Sequence, residues 1–269
     1  AGLKKRDGDV RLALGVSYSG QAYDGWQSQP SGRTVQDRLE AALAKFTAQS
    51  VSTLCAGRTD AGVHGLMQVV HFDTSIQREP FSWVRGTNSF LPPDIAVQWA
   101  QQVPDEFHSR ASATARRYAY VLLESPVRPS VDAGRVGWVF RPLDEEAMRA
   151  SANMLLGEHD FTSFRASACQ AKSPVKTMNR IAIARRGAYW RFEFEANAFL
   201  HHMIRNIMGC LVVIGHGHQP ATWMHDVLNA RNRDAAAPTF APDGLYFLGP
   251  VYDPSWGLPT RTAAYDWLP

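Results

Sequence analysis

Cysteine is scarce in this sequence. Cys55, Cys169 and Cys210 are the only three in 269 residues, and no C-x-x-C occurs. An odd, widely spaced set is no disulfide framework, so a reducing, cytoplasmic setting is expected. Long apolar runs are missing as well, and without about 18 consecutive apolar residues no membrane-spanning helix is expected. The opening AGLKKRDGD has no apolar stretch behind its charges, so it reads as a mobile tail over 1–9 and not as a secretory signal. G-x-x-x-x-G-K-[ST], a strand-borne G-x-G-x-x-G, H-E-x-x-H and H-x-E…P-C-x-x-C are all missing, which argues against nucleotide hydrolysis, nicotinamide chemistry and zinc catalysis. His64, His71, His201, His202, His216 and His218 remain conceivable ligands, but they lack a metal-site pattern. No metal and no cofactor are expected.

Lysine is the remaining scarcity, with 5 Lys against 23 Arg. Arginine offers a planar fork for phosphate and a flat face for stacking on bases, although a GC-rich genome produces the same bias. The formal net charge of +3 is too small to establish a polyanionic partner. An apolar share of 45% and a charged share of 20% are ordinary for a globular chain, and this length can bury one large core or two smaller ones.

Periodicity gives an α+β chain with two halves. Strand 11–18 leads to a helix announced by Thr34 and Asp37 as a capping box, with Val35, Leu39, Leu43 and Phe46 at helical spacing. Strand 51–56, a loop, strand 66–72, a helix near 81–89 and strand 94–99 complete a β-α-β-β-α-β order. A second such order follows: strand 111–123, helix 144–156, strands 176–184 and 189–195 about Gly187, helix 198–214, an extra helix near 220–230, and strand 245–251. Two split-βαβ halves of the ferredoxin-like or RRM-like kind, with antiparallel sheets, are expected over 10–105 and 106–252, followed by a tail at 253–269. Sheets with one face covered by helices and the other open are a common platform for single-stranded RNA.

Three segments could carry chemistry. In 56–65, AGRTDAGVHG, Gly57, Gly62 and Gly65 surround Arg58 and the solitary acid Asp60. An Asx-turn would account for Asp60 alone, but three glycines suit a loop that something large must approach closely. In 198–214, AFLHHMIRNIMGCLVVI, most of the circumference is apolar, so deep burial is expected. His201, His202 and Arg205 are its polar exceptions, and Gly209 lies along the same stripe. An arginine on so apolar a helix needs a carboxylate or a route to solvent, and Asp60 is the candidate partner. In 114–120, TARRYAY, Arg116, Tyr118 and Tyr120 share one strand face. That face could stack bases, or its tyrosines could be core.

Together with NSFLPPDIAV (88–97), FHSRASA (107–113), GEHDFTSFRA (157–166) and DGLYFL (243–248), these segments resemble the tRNA pseudouridine synthase A (TruA) family in order and spacing, from strand 11–18 to about residue 251. The resemblance implies a pseudouridine synthase fold with an active-site cleft between the halves. It implies an isomerase that needs neither metal nor cofactor, converting uridine to pseudouridine at tRNA positions 38, 39 and 40, and a homodimer across which the tRNA lies. Asp60 then matches the catalytic aspartate, Tyr118 the active-site tyrosine and Arg205 the basic partner of the acid. Leu245 matches an apolar residue lining the uracil pocket, and Arg58 an arginine that helps displace the target nucleotide. His201, His202, Arg116 and Arg165 are further candidate RNA contacts. Phe247 stands where the family usually has Leu, and Pro250 is expected to end its strand or mark an edge. An RNA-binding protein on the same scaffold, its chemistry lost, is the alternative; a histidine-based metal hydrolase is a weaker one.

Overall fold

The computed structural model describes residues 5–167, 169 and 171–260. The ends of both expected tails, 1–4 and 261–269, lie outside the described residues. The described residues divide into two compact units, 5–114 with 246–260, and 115–245.

In the first unit the elements are β1 (Val10–Tyr18), α1 (Val35–Thr47), β2 (Leu54–Cys55), β3 (His64–Thr74), α2 (Pro80–Asn88) and β4 (Ile95–Val103), joined by β10 (Leu245–Tyr252). β1 is central and antiparallel to both β3 and β4. β2 pairs with the far end of β3, antiparallel. The order β4-β1-β3-β2 is that of a split βαβ unit. Alternation along β1 sends Leu12, Leu14, Val16 and Tyr18 into a core with Val35, Leu39 and Leu43 of α1 and Trp83 of α2. On the opposite side of β1 sits Gly15, where a Cβ would meet the Trp99 indole at 2.1 Å. Trp99 therefore lies flat across this strand, and that face is not open there.

The capping box forms. Thr34 accepts from the Asp37 backbone N–H at 3.1 Å, and its hydroxyl donates to the Asp37 carboxylate at 2.6 Å. The strand expected at 51–56 contracts to two residues, because Thr53 turns toward α1 instead. Its N–H and hydroxyl both donate to Glu40, at 2.7 and 2.9 Å. In the described part of the C-terminal segment, Trp256 packs edge-on against Phe107 at 5.3 Å. At the other end, Lys5 pairs with Asp105.

The second unit contains β5 (Ala113–Glu124), β6 (Gly137–Val139), α3 (Glu145–Asn153), β7 (Gly157–Asp160), β8 (Val175–Arg186), β9 (Tyr189–Ala196), α4 (Met203–Gly215) and α5 (Trp223–Ala230). Its strands run β5-β9-β8-β7, antiparallel. The parallel pairs β5–β6 and β3–β10 depart from the all-antiparallel expectation. β6 and β7 are too short to leave a period in the sequence. On β9, Trp190, Phe192 and Phe194 are buried, as the alternation predicts. They stand opposite Leu122, Tyr120 and Tyr118 of β5, so this strand face packs into the core of the unit, completely at Tyr120, while Tyr118 keeps 9% of its surface exposed.

Two further expectations are corrected. The helix predicted from 198 begins at Met203, because His202 takes a left-handed backbone, φ +62°, which no α-helix interior accommodates. Apolar spacing runs on into 198–202 without helix. His201 and Arg205 therefore do not stand one turn apart on a common helix. β10 continues past Pro250 to Tyr252, so this proline does not end the strand.

Candidate active site

Asp60 belongs to the first unit, on a turn between β2 and β3 that is fixed from several directions. The Asp60 carbonyl accepts from the Val63 N–H at 3.0 Å, and Gly62, φ +83°, supplies the left-handed residue such a turn demands. Thr59 is buried and shares a 2.8 Å hydrogen bond with the Tyr18 hydroxyl. The Thr59 carbonyl accepts from the Trp26 N–H at 3.0 Å. Gln68 reaches back from β3 and bonds both backbone groups of Gly57.

Segment 19–35 closes over this turn. Gly25 has φ +91°, and a Cβ there would stand 2.8 Å from the Thr59 oxygen, 3.2 Å from the Ala61 nitrogen and 3.3 Å from the Asp60 carbonyl carbon. Real Cβ atoms do not approach so closely. At Gly20 a Cβ would meet the Val63 oxygen at 1.9 Å. The Gly20 N–H donates to Nδ1 of buried His64 at 3.0 Å, and the His64 ring lies 4.6 Å from Tyr246. Gly65 makes room for Tyr18, whose ring would lie 2.6 Å from an added Cβ. Two of the loop's glycines thus serve the turn and the packing of Tyr18, and the decisive close approach comes from Gly25, outside the motif. Asp60 itself is half-buried, and Arg58 in the same loop is exposed.

Tyr118 and Arg205 belong to the second unit. Tyr118 is buried on β5, its ring edge-on to Phe199 at 5.0 Å. Tyr120, two residues on, is fully buried; its hydroxyl donates to the Ala241 carbonyl at 2.7 Å and its ring meets Phe240 at 5.5 Å. Burial pushes this phenol well above its usual range, and the nearby Asp243 adds to the shift. Tyr120 is therefore a core residue.

Arg205 sits in the first turn of α4, half-buried. Its Nε donates to the Phe240 carbonyl at 2.8 Å, while the Phe240 N–H donates to the Arg205 carbonyl at 3.1 Å. This reciprocal pair sets the plane of the guanidinium. The stripe from Arg205 to Gly209 has a role that its sequence leaves open: it seats segment 237–240. A Cβ at Gly209 would lie 2.4 Å from the Pro238 oxygen. Fully buried Asn206 clamps the same segment. It donates to the Phe164 carbonyl at 2.8 Å and accepts from Arg233 at 2.9 Å and Thr239 at 2.7 Å. Phe240 carries no sequence signal of this role, and Asn206 carries only one, its place beside the polar stripe of an otherwise apolar helix.

The rings of His201 and His202 pack at 4.0 Å, with His201 exposed and His202 half-buried. Arg116 donates to the Asn197 carbonyl at 2.9 Å. Arg165 donates to the carbonyls of Ala171 and Cys169. Leu245 is buried at the start of β10. His71 is a structural group: its Nδ1 accepts from the Ser109 N–H at 3.0 Å, and burial lowers its pKa to about 4, helped by His108 and Arg11.

A family model described as tRNA pseudouridine synthase matches residues 15–110 and 151–253. The chain is 75% identical over 278 residues to tRNA pseudouridine synthase A of Paracidovorax citrulli (strain AAC00-1), covering 97% of this chain and 100% of the relative. It is 71% identical over 282 residues to the protein of that name from Delftia acidovorans (strain DSM 14801 / SPH-1) and 74% identical over 264 residues to that from Polaromonas naphthalenivorans (strain CJ2), with the same coverage.

Proposed function

The chain belongs to the tRNA pseudouridine synthase family, and we propose that it isomerises uridine to pseudouridine at positions 38, 39 and 40 of the tRNA anticodon arm, with Asp60 as its catalytic carboxylate. Support comes from the turn that carries Asp60. Its backbone is pinned by Trp26 and Gln68, its Thr59 hydroxyl is held by Tyr18, and Gly25 packs against it. So many constraints on one acid suit a group that must meet a reacting atom in a set position.

The reaction breaks N1–C1′, turns the uracil, and joins C5 to C1′. The C5 proton departs and N1 gains one, so the substrate and product are isomers. Cleavage develops positive charge at the sugar, which a carboxylate stabilises or captures, as in glycoside hydrolysis. A single acid suffices because uracil leaves as a resonance-stabilised anion and returns, so no water needs activating. Tyr118 is assigned to stack on the uracil and relay the C5 proton. Arg205, oriented by Phe240, is assigned to pair with the Asp60 carboxylate. Leu245 forms part of the pocket wall. The uridine must be flipped out of its stack, at a cost of a few kcal/mol, and Arg58 helps displace it. His201, His202, Arg116 and Arg165 contribute RNA contacts. Neither metal nor cofactor takes part. The enzyme acts as a homodimer in the cytoplasm, a setting consistent with three unpaired thiols.

The experiment uses tRNA tritiated at uracil C5, with EDTA present. Tritium release from tRNAs carrying uridine at 38–40, and none from tRNAs lacking it there, is the expected result. Tight binding without release would replace this reading with that of an RNA-binding protein. Sedimentation at twice the 29.9 kDa chain mass checks the dimer.

A further inference from the structure

A second site stands on the first unit, apart from the turn that carries Asp60. A cavity of about 540 Å³ opens between α1, segment 22–33 and the loop after α2. That volume is within the range of small-ligand sites, roughly 300–1,000 Å³. Arg38 and Lys45 stand two helical turns apart on one face of α1, and Arg33 precedes the helix; all three line the cavity and all are exposed. The helix surface between them is Ala41 and Ala42, whose small side chains leave a floor and not a ridge. The facing wall is Phe90, Leu91 and Pro92, with the Phe90 ring 47% exposed. No acidic residue lines the cavity. Asp24 pairs with Arg33 at 3.2 Å, and Asp94 is engaged by the Tyr23 hydroxyl, which leaves Arg38 and Lys45 as the dominant charges.

We propose that this groove binds a phosphodiester segment of the RNA substrate, phosphates along Arg38 and Lys45 and a base against Phe90. A basic rail opposite an exposed aromatic is what single-stranded RNA binding requires, since phosphates supply salt-dependent affinity and every base has a face to stack. An acidic peptide would match the charges but has no use for an exposed ring at that wall. The groove is also tied to the catalytic turn. Tyr23 at its end is two residues from Gly25, so within about 7 Å along the chain, and Gly25 packs directly on the backbone of Thr59–Ala61. RNA seated in the groove thus bears on the same segment that holds Asp60.

The proposal rests on the tRNA-modifying reading, and the experiment separates the two. Arg38→Gln/Lys45→Gln and Phe90→Ala are compared with the wild-type full chain by tRNA filter binding across a salt series and by tritium release. The double variant should bind tRNA roughly tenfold more weakly at physiological salt, and its log Kd against log salt should flatten by about 1.4, the contribution of two single-strand phosphates. Phe90→Ala should weaken binding at least about fivefold with an unchanged salt slope. In both, KM should rise while kcat stays within about twofold. Wild-type affinity and slope in the double variant would overturn the proposal, as would a fall in kcat with affinity intact. If wild-type protein binds tRNA but releases no tritium, the isomerase reading fails while the binding comparison still decides the groove.

Discussion

Replacing Gly25 with alanine tests whether the position of the Asp60 turn is set from outside its own motif. At φ +91° an alanine is strained by about 1–2 kcal/mol. Its Cβ would also sit 2.8 Å from the Thr59 oxygen and 3.3 Å from the Asp60 carbonyl carbon. Relief of that contact to ordinary van der Waals distance moves the turn by roughly half an ångström, adding about 1 kcal/mol. The sum, about 2–3 kcal/mol, corresponds to a Tm lower by roughly 5–10 °C. Catalysis should suffer more. Displacements near 1 Å cost about 100-fold, so kcat for tritium release should fall between about ten- and 100-fold, with tRNA affinity little changed. The control is Gly187→Ala, where φ is +61° and nothing lies within 4 Å of the added Cβ. That variant bears the backbone strain alone, so it should lose stability and keep its kcat. A Gly25→Ala enzyme with wild-type kcat and a lowered Tm would refute the claim that this contact positions the acid.

Asn206→Ala leaves Arg233, Thr239 and the Phe164 carbonyl without their shared buried partner. The expected loss is about 3 kcal/mol and a Tm fall of roughly 6–12 °C, read by thermal melting. Activity at 25 °C should drop too, because segment 237–240 carries the Phe240 carbonyl that orients Arg205. Acid should destabilise the protein through His71, whose folded pKa of about 4 lies below its ordinary 6.5. The unfolded chain then binds a proton that the folded one refuses, so stability is intact above about pH 6.5 and is lost as pH falls toward 4. Urea unfolding at pH 7 and pH 5 should differ by about 1–2 kcal/mol from this group, and His71→Gln should flatten that dependence.

Much of this architecture is legible in the sequence because local chemistry and tertiary packing agree. Thr34 and Asp37 announce α1, the Trp190–Phe192–Phe194 alternation announces the inward face of β9, and Gly187 announces the turn before it. Disagreement arises where a long-range partner outbids local pattern. Glu40 captures Thr53 and shortens β2. Left-handed His202 stops α4 from starting where its apolar spacing begins. Tyr118 and Tyr120 share a face, as the strand period requires, but period alone cannot say whether that face meets solvent or core. The motif around Asp60 marks the loop through its glycines. Gly25 and Tyr18, which hold that loop in place, lie more than thirty residues away and carry no local signature of their role. Phe240 is equally silent, since it acts on Arg205 through its backbone carbonyl.

The account turns on Asp60 taking part in bond breaking and not in tRNA capture. A single-turnover experiment with Asp60→Asn and C5-tritiated tRNA, binding measured on the same sample, addresses this directly. The prediction is tRNA affinity within about tenfold of wild type, roughly 1.4 kcal/mol, with tritium release abolished. Release at the wild-type rate, or affinity lost far beyond tenfold, would contradict it.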